Sequence, residues 1–166
     1  ELTVGNTEVY GSTSTMGNRR AQPVSFDESG NIESISIYHE GGTGNMLLGV
    51  YSDNTGSPQS LLGVTSSTPI SSVAGWQTVS LTSPVFVNSG ETVWLAWVFE
   101  KNPGIRYTTG TPARAQSPDT WSSGMPSTFG SSSFTGYKYS VYCAYTPQGP
   151  LQTTGNTEVY GLISKD

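Results

Sequence analysis

Four tryptophans and nine tyrosines stand in a chain of 166 residues that has one histidine and one cysteine. Aromatic surface is therefore abundant and catalytic groups are scarce. His39 is the one side chain suited to act as a base near neutral pH, and it ends a strand pattern with no Gly-x-Ser-x-Gly nucleophile elbow anywhere in the chain. Paired-carboxylate hydrolysis would need two of Asp27, Glu28, Glu33, Glu40, Asp53, Glu91, Glu100 or Asp119 to converge across a cleft. Several of these lie in turns, where acidic side chains ordinarily bond the backbone. A lone His and a lone Cys cannot make a zinc site. Asp53-Asn54, and Asp27-Glu28 with Asn31, hold enough oxygen donors for a structural calcium ion, with turn formation as the other reading of both clusters. No cofactor is required by the sequence, and the chain reads as a non-enzyme.

Sugar binding is the chemistry these residues suit best. The C–H face of a pyranose stacks on Trp or Tyr, and its hydroxyls take hydrogen bonds from planar polar groups at the edge. Trp121 stands in Ser117-Pro-Asp-Thr-Trp-Ser-Ser-Gly124 without apolar neighbours in register; Arg106 and Tyr107 follow an Asn102-Pro-Gly104 turn; Arg114 stands near the start of a long loop. The expected site has Trp121 and Tyr107 as stacking surfaces, with Arg106, Arg114 and Asp119 as hydrogen-bonding partners. The bland counterparts are a loop tryptophan that staples its loop to the domain, and solvated cations beside a half-buried tyrosine. Trp97 falls on a core face, Trp76 reads as a packing residue, and Trp94 faces either a second core or a concave binding sheet.

The elements that position these residues are strands. In Glu91–Glu100, Val93, Leu95, Trp97 and Phe99 alternate with Trp94, Ala96 and Val98, so both faces are apolar and the strand is central. Further strands are expected at Thr7–Tyr10, Ala21–Phe26, Ile32–His39, Met46–Ser52, Leu61–Val64, Trp76–Leu81, Val85–Val87, Ile105–Thr108 and Tyr137–Tyr145. No window keeps a helical apolar period free of Gly, Pro or Ser-Thr clusters. Turn sequences such as Asp27-Glu-Ser-Gly30, Asp53-Asn-Thr-Gly-Ser-Pro58 and Asn88-Ser-Gly90 separate short strands, the pattern of an all-β, jelly-roll-like antiparallel sandwich in a single domain. Thr109–Gly136 reads as a long loop, and its Trp121, Met125 and Phe129 argue for one packed over the sandwich.

Charged residues make up 11% of the chain, against about 25% in an average domain, and the net charge is −5. Seven scattered Lys and Arg cannot track a phosphate backbone, so nucleic acid is excluded as a partner. No run approaches the roughly 18 apolar residues of a membrane-spanning helix, so no membrane partner is expected. Cys143 fits a half-buried strand position as an inert thiol, and no disulfide can form within one chain. Gly-Asn-Thr-Glu-Val-Tyr-Gly occurs at Gly5–Gly11 and again at Gly155–Gly161. That repeat divides the chain into a module at 1–152 and, at 153–166, the start of a following tandem copy or a strand completing this one. Arrays multiply avidity, which suits binding or structural units better than enzymes. The start at Glu1 reads as a processed piece of a longer protein.

Ile35-Ser-Ile-Tyr-His39, Leu48-Gly-Val-Tyr-Ser-Asp53 before Gly56-Ser-Pro58, Gly75-Trp-Gln-Thr-Val79 and Ser89-Gly-Glu-Thr-Val-Trp-Leu-Ala-Trp97 together resemble bacterial extracellular β-sandwich modules of the carbohydrate-binding type. The resemblance spans roughly Asn31–Tyr145 and carries no site residues with it. It implies a jelly-roll fold, a secreted or cell-surface location, and a neutral polysaccharide or neighbouring tandem modules as partners. A structural or adhesive repeat, in which the array itself is the function, is the competing reading.

Overall fold

A computed structural model describes residues 1–149 of the chain. Twelve strands dominate these residues: β1 (Leu2–Gly5), β2 (Ser12–Ser14), β3 (Arg20–Ser25), β4 (Gly30–His39), β5 (Asn45–Asn54), β6 (Ser57–Val64), β7 (Thr68–Pro69), β8 (Gly75–Val87), β9 (Thr92–Phe99), β10 (Ile105–Gln116), β11 (Ser133–Tyr139) and β12 (Val141–Pro147). A single 3-10 turn at Trp121–Ser123 interrupts them. The chain is an all-β, sandwich-like single domain.

One layer is β1-β12-β4-β8; the other runs β11-β10-β3-β9-β5-β6. The lone pairing of Ile105 with His39 joins β10 to β4 and so links the layers. With the β10–β11 hairpin set aside, the orders β1-β12-β4-β8 and β3-β9-β5-β6 are those of a jelly roll. Ile35, Ile37, Val141 and Cys143 of the first layer meet Leu48, Val50, Leu95, Trp97 and Phe99 of the second in one buried core. Alternation along each strand produces this, since every second side chain points the same way.

The outer face of the second layer is covered as well. Tyr51, Trp94, Ala96, Ala21 and Ala115 form a second buried cluster capped by Phe129, with Met125 and Leu61 against it. The cap is the loop between β10 and β11. It lays residues 127–129 beside β6, with the Leu61 N–H bonded to Ser127 O (2.9 Å) and the Phe129 N–H to Gln59 O (2.8 Å). Arg19, fully buried, donates to Ser117 Oγ (3.0 Å) and to Phe129 O (2.9 Å). Tyr51 donates to Pro126 O (2.7 Å). A packed loop is what Phe129 and Met125 implied; it also shields the β6 edge from pairing with another chain.

Four sequence expectations change. The expected loop at Thr109–Gly136 shrinks to residues 117–132, because β10 continues to Gln116 and β11 begins at Ser133. These Ser/Thr/Gly stretches become strand by pairing with each other, with a register shift between Thr109 and Arg114. Trp76–Leu81 and Val85–Val87 are one strand, β8, held against β4 across an irregularity between Ile32 and Ser34. Tyr137–Tyr145 is two strands, parted at Ser140 where the chain leaves the second layer for the first.

The expected strand at Thr7–Tyr10 lies earlier, at Leu2–Gly5. Gly5 sits at φ 123° with Tyr142 Cα and Val141 O so close that a Cβ would come within 2.8 and 2.9 Å of them, and beyond it the chain leaves the ladder. The rest of the heptapeptide is tied to the crossover at Ser140: Asn6 Nδ2 donates to Tyr139 O (2.8 Å) and the Tyr10 N–H to Ser140 Oγ (3.0 Å). Its second copy, the expected boundary at 152/153 and the pairing or exchange expected of 153–166 all lie outside the described residues.

Candidate functional site

The first layer turns its outer side to solvent, and the core pattern dictates what stands there. With Ile35, Ile37 and Cys143 pointing inward, β4 must present Ser34, Ser36 and Tyr38 outward, and β12 must present Tyr142 and Ala144. Register then sets their neighbours. Tyr38 pairs with Trp76, Ser36 with Thr78 and Ser34 with Ser80 on β8; Tyr142 pairs with Ser36 and Ala144 with Ser34 on β12; Gly5 stands opposite Tyr142 on β1. Three half-buried rings result, Tyr38, Trp76 and Tyr142. Trp76 contacts Tyr38 at 5.7 Å and Tyr142 at 4.9 Å between centroids, both edge to face. Around them are small hydroxylated positions, with Ser36 Oγ and Thr78 Oγ1 bonded at 2.6 Å.

Charge enters at one border. The Arg106 guanidinium lies over the Tyr38 ring, 5.4 Å from its centroid. It is bonded to the Glu40 carboxylate and, through Nη1, to Tyr10 O (2.9 Å). The bond to Glu40 holds the Arg106 guanidinium above its ordinary value. The face thus combines aromatic C–H acceptor surface, hydroxyls and a fixed cation with its carboxylate.

The residues expected from the sequence to bind a ligand distribute over three places. Arg106 is at this face. Tyr107, its neighbour on β10, points to the opposite side of the strand, where its ring stands 4.9 Å from Tyr137 and 5.4 Å from Tyr139. Arg114 joins Tyr107 there, lying over Tyr137 at 5.7 Å. Trp121 and Asp119 belong to the loop over the second layer. Trp121 opens the 3-10 turn and is half-buried, while Asp119 is the exposed ion partner of buried Arg19 at 3.7 Å. The structure therefore joins Tyr107 with Arg114, and Asp119 with Trp121 on one loop, but not the five into one site.

Tyr38 and Tyr142 escaped the sequence reading, and Trp76 was assigned to packing. The signal was present: each occupies the outward phase of a strand whose inward phase carries core side chains, Ile35 and Ile37 on β4, Val79 and Leu81 on β8, Val141 and Cys143 on β12. Trp97 is in the core, 1% exposed. Trp94 belongs to the second buried cluster and donates its indole N–H to Asp53 Oδ1 (2.9 Å), beside a cleft of about 350 Å³ that Phe134, Pro23 and Pro112 help to line. Asp53 also accepts from the Gly56 N–H (3.4 Å), so this carboxylate is engaged within its turn. His39 is fully buried, its Nε2 paired with Gln77 Oε1 (2.7 Å) and its Nδ1 accepting the Gly41 N–H (2.9 Å). Among the described residues no three His, Cys, Asp or Glu side chains are grouped to hold a metal, and no helix is long and apolar enough to cross a membrane.

No protein-family model and no curated protein matches the sequence.

Proposed function

We propose that the chain is a non-catalytic extracellular module that binds a neutral polysaccharide on the outer face of its first layer. The observation that supports this most is the contiguous Tyr38-Trp76-Tyr142 patch, left uncovered while the corresponding face of the second layer is closed by a loop. A sheet face that was merely solvated would favour charged and polar side chains, because half-exposed rings gain little from water. Stacking on these rings, with the exposed Thr78 and Ser80 meeting sugar hydroxyls, suits a chain of neutral pyranoses. Single-site binding of this kind is weak, and repeated modules would raise it by avidity.

The test is retention on a panel of insoluble polysaccharides. Trp76→Ala should reduce affinity at least tenfold, since truncating a central stacking aromatic costs about 2 kcal/mol or more. Thr78→Glu, at an exposed position, should do so without disturbing the fold. Trp121→Ala serves as the contrast. Loss of binding there, with Trp76→Ala unaffected, would move the site to the loop; no retention by the unaltered protein on any polymer would favour the structural-repeat reading.

A further inference from the structure

Two arginines are buried side by side in this acidic chain without a carboxylate between them. Arg20 is 5% exposed and Arg114 6%. Both reach the same neutral oxygen: Arg20 Nε donates to Gln116 Oε1 at 2.8 Å and Arg114 Nη1 at 2.9 Å. The remaining partners of Arg20 are hydroxyls, Ser14 Oγ at 3.0 Å and Tyr139 Oη at 2.6 Å. Arg114 Nε is buried with no hydrogen-bond partner at all. Neither arginine makes an ion pair among the described residues, where the two found are Arg19–Asp119 and Arg106–Glu40. Burial, with Arg114 adding to it, lowers the Arg20 guanidinium below its ordinary value against the opposing pull of the neighbouring tyrosines.

Buried like charges without a counter-ion are costly to fold, and the rings of Tyr139 and Tyr137 beneath them compensate only in part. Gln116 stands where a carboxylate would neutralise both guanidiniums. It also lines an open cleft of about 330 Å³ with Ser117, Pro118, Ser131, Ser132 and Ser133. There the Ser132 hydroxyl is buried and unpartnered. The cleft is at the small end of ligand pockets, which run from about 300 Å³ upward, and four serines stand in its lining.

We propose that this cleft receives the carboxylate of a uronic-acid unit, with the Gln116 side chain giving way so that the planar anion meets Arg20 and Arg114 together. Arginine forks match carboxylate geometry in this way. The anion follows from the paired guanidiniums; that a sugar carries it rests on the polysaccharide-binding reading above. A net charge of −5 repels a dense polyuronate, so the fitting polymer is one in which acidic units are spaced among neutral ones.

The experiment is thermal unfolding of the whole chain in sodium glucuronate, compared with glucose plus sodium chloride at equal ionic strength. Glucuronate should raise the midpoint by a few degrees beyond the control. Arg114→Met should lose that increment, and Gln116→Glu, which supplies the missing charge internally, should raise the midpoint without ligand and become insensitive to it. Should Arg114→Met fail to fold, Gln116→Glu carries the test alone. An unaltered protein indifferent to glucuronate, an increment that survives in Gln116→Glu, or an equal increment from poly-glutamate would overturn the assignment. Retention of the unaltered protein on neutral polymers, measured in parallel, reports separately on the aromatic face.

Discussion

Truncating Phe129 to alanine should unfasten the loop over the second layer and cost the domain a large part of its stability. The ring is 1% exposed. It meets Tyr51 edge-on at 5.2 Å, and the Arg19 guanidinium stands 5.0 Å above its centroid. Deleting a buried Phe side chain costs about 3–5 kcal/mol when the cavity cannot collapse. Collapse is opposed here because the wall includes Ala21, Ala96 and Ala115, which have no side-chain atoms to swing inward. Arg19 would also lose its ring partner while remaining buried, which places the expected loss in the upper half of that range. Against a total of about 5–15 kcal/mol for a domain, the melting temperature should fall by roughly 8–20 °C at about 2–4 °C per kcal/mol for a chain of this size. Urea denaturation measures the loss directly. Limited proteolysis should also show new cleavage confined to residues 117–132, since the loop is released before the jelly roll opens. A loss below about 1 kcal/mol with an unchanged proteolytic pattern would refute the reasoning and leave the loop held by its backbone bonds and Arg19 alone.

Alkaline pH should destabilise the fold in a defined window. Burial pushes the Cys143 thiol up from 9.0 to about 12 and the Tyr51 hydroxyl up from 10.0 to about 12. Each raised value means stability that is complete below the unfolded value and is lost as pH climbs toward about 12, at up to about 1.4 kcal/mol per pH unit per group; denaturant midpoints in Cys143→Ala should fall less steeply over pH 9–12. Gly5→Ala should cost about 1–3 kcal/mol from its positive φ and backbone clash, whereas Gly11→Ala, with nothing within 4 Å of the added Cβ, should be near neutral in the same denaturation assay.

Much of the fold was legible because alternation is a local property. Val93, Leu95, Trp97 and Phe99 announced a core strand within a single window, and the turns announced where each strand stops. Three apolar side chains in a Ser/Gly-rich stretch announced a packed loop, since burying Phe129 is the only way to remove its ring from water. The hairpin of β10 and β11 did not show itself, because its strands are Ser, Thr and Gly positions whose extended state is fixed by pairing across the bulge rather than by their own preference.

The candidate surfaces divide along the same line. The sequence by itself determined that aromatic and hydroxylated residues would dominate, and it singled out Tyr107 and Arg114, each of which contacts Tyr137. It could not show that Tyr38, Trp76 and Tyr142 form one patch, because their contact depends on the register of β4 against both β8 and β12, set by pairings some forty and a hundred residues apart in the chain. Nor could it show that Arg20 faces Arg114 across Gln116: that follows from β3 pairing with the far end of β10. Side-chain phase is written in each strand, whereas the identity of the neighbour across the ladder is settled only when the layers close around a common core and leave each strand one register that buries its apolar side.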